Sequence, residues 1–350
     1  TGRVVTSIVR DGRGVIWLGT ESAGLIEFDP RTGLAVRHRR DPKAPDSLSH
    51  NRINALWLDR ERPDLLWVGT QRGLNGLETR TRKWTSFRYD PQNADGLSSN
   101  IITAIEEAGP GFLWVGTTSG LNRLAKATGR CEAFVRRFED PPGTNISNNT
   151  VNCLCAGRDG RLWIGTDGGL NRFDRALGRW KIYAEKDGLA GAVVRGILED
   201  STGSLWVSTN RGLSRLDPAP ERFTSFGLRD GLQGLSFNRA ACAGGADGSM
   251  YFGGANGFNA FDPADIRKDP FVPPVVWTAF YRNNEEVKLS GTALARRELP
   301  LTYKSGLVTL EFAALDFAAA ELNSFAYRLE PRDNEWISIV PDHRVSLYDL

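Results

Sequence analysis

Residues 151–183 set the pattern for most of the chain. Val151-Asn152-Cys153-Leu154-Cys155-Ala156 alternates apolar with small or polar positions, the period of a strand with one face turned to a core. Arg158-Asp159-Gly160-Arg161 follows; there the Asp caps its own backbone and the Gly accepts a positive φ, so the chain reverses tightly. A second strand is predicted over Leu162–Thr166, a turn at Asp167-Gly168-Gly169, a third strand over 170–173, a turn over 174–178 and a fourth strand over Arg179–Tyr183. One small twisted sheet cannot bury both its faces, so a unit of this kind needs neighbours of its own kind.

The neighbours are present. Leu162-Trp163-Ile164-Gly165-Thr166 returns as Ile16-Trp17-Leu18-Gly19-Thr20, Leu66-Trp67-Val68-Gly69-Thr70, Leu113-Trp114-Val115-Gly116-Thr117 and Leu205-Trp206-Val207-Ser208-Thr209, and more weakly as Met250-Tyr251-Phe252-Gly253-Gly254. Consecutive aromatic positions lie 50, 47, 49, 43 and 45 residues apart. A strand-rich, Gly-punctuated repeat of ~40–50 residues is the signature of a β-propeller with one four-stranded blade per repeat. Six blades are visible. The sixth lacks a clear fourth strand, so the ring is expected to be closed either by upstream residues or by a strand from the far end. The repeated Trp is expected to fill the wedge between adjacent blades, and the Gly-Thr after it to let the strand end close to the next backbone.

From Asp269 the period stops. Pro270, Pro273 and Pro274 mark a linker, and short apolar or alternating runs at 275–281, 307–312, 325–329 and 336–340, with turns at Asn283-Asn284 and Asp333-Asn334, predict a second domain of β-sandwich type. The expected fold class is all-β, with a propeller over residues 1–268 and a sandwich over 269–350. The sequence starts at Thr1 inside one strand pattern and stops at Leu350 inside another, as expected of part of a longer protein.

Composition narrows the function. The 38 Gly and ten Trp of 350 residues suit all-β structure. The formal charge of +2 comes with no basic block, which argues against nucleic acid as a partner. No run of ~18 apolar residues spans a membrane, so membrane attachment is expected only through segments outside this chain. Cys153 and Cys155 stand two apart on one strand, poorly placed to bridge, and Cys131 and Cys242 lack evident partners; small buried residues are the expected role. His38, His50 and His343 are scattered, which points to surface or linker positions and not to a metal. No metalloprotease, redox-pair, nucleophile-elbow or P-loop motif occurs, so neither catalytic residues nor a cofactor are expected. Asp11, Asp159, Asp200 and Asp247 sit in repeated turns, where a recurring residue does the same structural job each time.

The repeats and the trailing domain together resemble the sensor regions of hybrid two-component regulators, built of regulator-propeller repeats followed by a Y_Y_Y domain. The residues that carry the resemblance are Leu97-Ser98-Ser99-Asn100-Ile101, Leu162-Trp163-Ile164-Gly165-Thr166 and Gly169-Leu170-Asn171-Arg172-Phe173-Asp174, then Tyr327-Arg328-Leu329-Glu330, Asp333, Glu335-Trp336 and Arg344 through Tyr348-Asp349-Leu350. The resemblance implies a seven-bladed propeller in a periplasmic or extracellular, ligand-sensing, non-enzymatic module of an inner-membrane protein, paired as a homodimer through its Y_Y_Y domain. Beyond it would stand a histidine kinase, or in some members a diguanylate cyclase. The Y_Y_Y domain here lacks its last strand.

Function is sought in what differs between repeats. In a four-stranded meander the turn after strand two and the linker before strand one share a face, and together they ring the mouth of the central channel. The variable positions there are Glu21, Arg72, Ser119, Asp167, Arg211 and Asn256 from the turns, with Asn100, Asn149 and Arg195 from the linkers. Amides, hydroxyls and guanidinium forks suit a hydroxyl-rich or carboxylate-bearing small molecule such as an oligosaccharide. The alternatives are a propeller polysaccharide hydrolase or lyase, which needs convergent acids on that face, and a protein-interaction scaffold without a small ligand.

Overall fold

A computed structural model describes residues 4–44, 46–141, 143–266, 274–287, 306–315, 325–339 and 343–348. The chain forms two compact units, Thr1–Ile266 and Arg267–Leu350.

The first unit contains six antiparallel sheets in chain order. Five are four-stranded meanders and the sixth, made of Phe237–Gly244, Met250–Gly254 and Gly257–Phe261, has three strands among the described residues. The first strands, Val5–Arg10, Ile53–Leu58, Ile102–Glu107, Val151–Ala156, Val194–Glu199 and Phe237–Gly244, contact one another in series. They are therefore the innermost strands and enclose the axis, as in a propeller.

The cores lie between sheets, not within them. Five apolar clusters occupy the five junctions, each built of the Trp of one sheet and the first strand of the next: Trp163 with Val194 and Ile197, for example, and Trp114 with Val151. Trp17, Trp67, Trp114, Trp163 and Trp206 are all buried. The predicted wedge role holds for these five. Tyr251, their counterpart in the sixth sheet, is 38% exposed, because no further sheet covers it among the described residues.

The motif glycine has a role more specific than the expected approach of two backbones. A Cβ on Gly69 would stand 2.7 Å from the Ile102 side chain, one on Gly116 2.6 Å from Val151 and one on Gly165 2.5 Å from Val194. Each glycine is a socket for the branched residue that opens the first strand of the next sheet. A buried hydroxyl–amide triad lies beside it: Ser147 Oγ and Thr166 Oγ1 are 2.9 Å apart, Asn171 Nδ2 donates to Ser147 Oγ at 2.9 Å, and the Ser147 N–H donates to Asn171 Oδ1 at 2.8 Å. Ser49, Thr70 and Asn75 repeat it, as do Ser98, Thr117 and Asn122.

The repeated turn acids fall into two registers, which corrects the single role expected of them. Asp11 and Asp200 accept from the indole N–H of Trp17 and Trp206 at 3.2 and 3.0 Å, and Asp59 does the same for Trp67 at 2.9 Å. Asp159 and Asp247 sit two positions further on, where they cap the turn through the N–H of Arg161 and Ser249. His38 also departs from the surface position expected of it. It is half-buried between Trp17 and Trp84 and meets Glu27 at 3.2 Å.

The second unit contains a sheet in the order Glu285–Glu286, Val275–Arg282, Val308–Ala314, Arg344–Leu347, and a hairpin of Phe325–Tyr327 with Ile337–Ile339. Phe312 of the sheet meets Phe325 of the hairpin at 5.2 Å between ring centres, as two facing layers would. Asn283 and Asn284 both take positive φ, 52° and 69°, the backbone of a type I′ hairpin. Asp269, Pro270, Pro273, Val340, Asp349 and Leu350, which figured in the sequence reading, lie outside the described residues.

Candidate functional site

The first strands enclose a central channel of about 640 Å³. Its wall is apolar over most of its length, with Ile8, Leu56, Ile105 and Ile197 among the lining residues, and is interrupted by Glu106 and Trp57. Burial raises the Glu106 carboxyl to about 7, against the weaker pull of the Glu107 N–H and the Arg60 charge. The indole N–H of Trp57 is buried without a hydrogen-bond partner among the described residues.

One end of this channel is built by the elements expected to share a face. The residue after the second strand donates its N–H to the carbonyl just before the first strand in five sheets: Glu21 to Val4, Gln71 to Arg52, Thr118 to Ile101, Asp167 to Thr150 and Asn210 to Val193, at 3.0–3.3 Å. Turn and linker therefore form one rim around the mouth.

The nine predicted residues divide by what their side chains do. Asp167 is exposed at the rim and accepts from Asn152 Nδ2 at 2.8 Å. Glu21 reaches Arg52 across the first junction at 3.3 Å. Arg195 is half-buried and makes no hydrogen bond or ion pair with any described residue. Arg72 and Ser119 are solvent-facing, with only their backbone N–H groups tied, to Thr70 Oγ1 and Thr117 Oγ1. Arg211 pairs with Glu185 at 3.6 Å, and Asn256 donates to the carbonyl of Gln233 at 3.2 Å.

Asn100 and Asn149 are engaged in holding the chain. Their side-chain oxygens accept from the N–H of Tyr89 at 3.0 Å and of Arg136 at 2.7 Å, tying the linker to the exit of the preceding fourth strand. Asn51 does the same for Arg40.

Sequence reasoning missed Arg52 and Arg239. Arg52 meets Glu21 at the rim, and Arg239 lies in the first strand of the sixth sheet, where its guanidinium is pushed down by desolvation and by the charges of Arg195 and Arg52, against a smaller pull from Asp167. His50 is likewise held below the usual imidazole range by burial and by Arg72, Arg40 and Arg52, although its ring accepts the Arg52 N–H. The rim thus gathers several arginines, of which Arg52 is paired with Glu21 and Arg211 with Glu185. Among the described residues no group of His, Cys, Asp and Glu is arranged to hold a metal ion, and all four Cys are free.

Comparison with known proteins bears on this geometry. The chain is 24% identical over 339 residues to histidine kinase P4 of Formosa agariphila, covering 93% of this chain and 21% of that protein. Its fold matches the extracellular domain of the hybrid two-component system BT3049 of B. thetaiotaomicron at a TM-score of 0.72, with 24% identity, over 98% of this chain and 46% of that one. Virginiamycin B lyase of Staphylococcus aureus shares the fold at a TM-score of 0.54 and 16% identity, over 76% of this chain and 86% of the lyase. The chain thus spans about a fifth of the kinase and less than half of the solved extracellular domain. The two-component regulator propeller family matches residues 1–22, 96–119, 145–168 and 188–211. Each of these windows ends in the turn after a second strand, so each takes in the two inner strands and the rim.

Proposed function

We propose that this chain is the ligand-sensing part of an extracytoplasmic, periplasmic region of a two-component regulator. It receives a small hydroxyl-rich or carboxylate-bearing molecule, such as an oligosaccharide, at the mouth of the central channel. The observation that carries this reading is the contrast between the rim and the rest of the disc. The repeat-invariant polar groups are consumed internally, whereas the positions of the half-buried Arg195 and the exposed Asp167 and Arg239 differ from sheet to sheet. The kinship with a histidine kinase and the likeness to the extracellular domain of a hybrid two-component system support the setting. Occupancy of the mouth would shift the balance between two arrangements of the region, which needs only a difference in affinity between them. The change would pass through residues 269–350 to an output module elsewhere in the protein, in a homodimer paired through that domain.

The mouth itself does not favour catalysis. Glu21 and Asp167 stand on the first and fourth sheets and are engaged with Arg52 and Asn152, not with each other. A carbohydrate panel read by thermal shift and by product analysis tests the proposal. Saturable stabilisation without turnover is expected, of about 2–3 kcal/mol at a hundredfold excess over Kd. Turnover of a bound saccharide, or the absence of any saturable ligand, would overturn it.

A further inference from the structure

The first strands of all six sheets line the central channel, whose volume of about 640 Å³ is that of a pocket for a small organic molecule. Their registers stack equivalent residues in layers. One layer stands opposite the motif aromatic of each sheet: Trp57 pairs with Trp67, Glu106 with Trp114, Cys155 with Trp163, Leu198 with Trp206 and Ala243 with Tyr251. The first-strand member of each of these pairs lines the channel. Glu106 lies four residues along its strand from Ile102, at the rim end, so the layer sits about 13 Å inside the channel.

Among the described residues Glu106 is the one charged side chain in the lining. It is 8% exposed, accepts the Glu107 N–H at 2.9 Å and forms no ion pair with a described residue. A carboxylate so enclosed costs free energy unless a cation meets it. Its neighbours do not supply one. Arg60 lies outside the lining, over the Trp57 ring at 5.4 Å. Glu107, on the same strand, is itself tied to Lys126 at 2.7 Å. Cys155, next in the layer, is pushed up to about 12 by burial and then by the Glu106 charge, so its thiol stays neutral. Burial wins at Glu106 as well and leaves it at about 7.

Two further polar atoms in the wall are buried without a hydrogen-bond partner among the described residues: Thr103 Oγ1, on a side chain 1% exposed, and Trp57 Nε1. Three sheets further round, the sixth sheet reaches the channel through a bulge, in which Phe237 pairs with Gly254 and the next pair is Cys242 with Phe252. That stretch presents Ala240 and Ala241 to the channel, and such small side chains leave room for a bulky apolar body.

We infer that the central channel is a binding site in its own right, which takes an amine with an apolar body, the ammonium on Glu106 and the body against Leu56, Ile105 and Leu198. An ammonium supplies the charge that the carboxylate lacks, and a charge-assisted hydrogen bond in this enclosed setting is strong. The aliphatic wall takes up the rest of the molecule. The Trp57 N–H, in the same layer, receives an acceptor oxygen where the ligand carries one. The inference does not rest on the rim being a ligand site, because layer and rim are separate.

The test uses the full chain and isothermal titration with tryptamine, tryptophol and indoleacetate, similar shapes that carry an amine, a hydroxyl and a carboxylate. At about pH 8 tryptamine is expected to bind tenfold or more tighter than the other two. Glu106→Gln should abolish that preference and leave tryptophol binding within about twofold of wild type. Tryptamine affinity should rise between about pH 6 and pH 8, and binding at the lower pH should release a proton, since the ammonium draws Glu106 into its ionised form. Both effects should vanish in Glu106→Gln. Thermal unfolding without ligand shows that the variant folds. A carboxyl with a raised pKa keeps its proton longer in the native state than in the unfolded one, so wild-type stability falls as pH rises from the ordinary glutamate value towards 7. The melting temperature of Glu106→Gln should therefore gain on wild type between about pH 5 and pH 8. Equal affinity for the three probes, a tryptamine preference that survives Glu106→Gln, or no binding by any probe would overturn the channel site. None of these results touches the rim reading, which the carbohydrate panel tests by itself.

Discussion

At the scale of single residues, the turn acids show how one letter does two jobs. Asp200 is buried and accepts from the N–H groups of Thr202 and Ser204, from the Thr202 hydroxyl and from the Trp206 indole. Burial works against its charge, but these donors outweigh it and hold its pKa below the ordinary aspartate value. Asp159 caps an exposed turn and has no tryptophan partner. Asp200→Ala is therefore expected to cost about 2–4 kcal/mol, since it strands a buried indole N–H and several backbone donors, and Asp159→Ala less than about 1 kcal/mol. Urea titrations at pH 7 would measure both. The sign with pH follows from the lowered pKa: the contribution of Asp200 is present above the ordinary carboxylate pKa and is lost as pH falls through the depressed one. The gap between the two variants should thus close in acid, and equal costs at pH 7 would refute the two registers. The sequence made the turns legible through Asp-Gly. It concealed the registers because a shift of two residues within a five-residue turn changes no periodicity.

At the scale of elements, the repeat is held by a peg and a socket. The peg is the branched residue that opens a first strand, and the socket is the bare Cα of the preceding sheet's Trp-x-Gly motif. Gly116→Ala would drive a methyl group to 2.6 Å from Val151 Cγ1, which forces sheets three and four apart. A cost of about 1–3 kcal/mol is expected, typical of overpacking. Gly253→Ala is the internal control, since its added carbon meets only Ala241 of its own sheet, at 3.2 Å. It should cost distinctly less, and differential scanning calorimetry of the two variants would show it. Period and strand order were legible because alternation and turn chemistry are local properties. The socket was not, because it depends on the register between two sheets whose strands never hydrogen-bond. The same blindness applied to the rim. Asn100 and Asn149 recur with Asn51 in one linker motif, and that recurrence was the available signal of a structural tie. Arg239 lay in a bulge whose extra length no repeat alignment reveals.

At the scale of the propeller unit, the ends of the series test whether burial arises between sheets. Leu25, Leu74, Leu121, Leu170 and Leu213 are at most 1% exposed, each pressed on the sheet that follows. Phe258, in the same register of the sixth sheet, is 67% exposed. At the other end Val5 is 45% exposed, whereas its counterparts Ile53, Ile102, Val151 and Val194 are fully buried. Among the described residues the first sheet thus leaves its peg uncovered and the sixth its socket unfilled. If stability resides in the junctions, a residue's cost on truncation depends on whether its junction is made, not on its place in the motif. Ile102→Ala, in a made junction, should cost about 2–5 kcal/mol. Val5→Ala, at the same motif position in the first sheet and 45% exposed, should change stability by less than about 0.5 kcal/mol. Chemical denaturation of this chain measures both, and comparable losses at the two positions would mean that each sheet carries its own core.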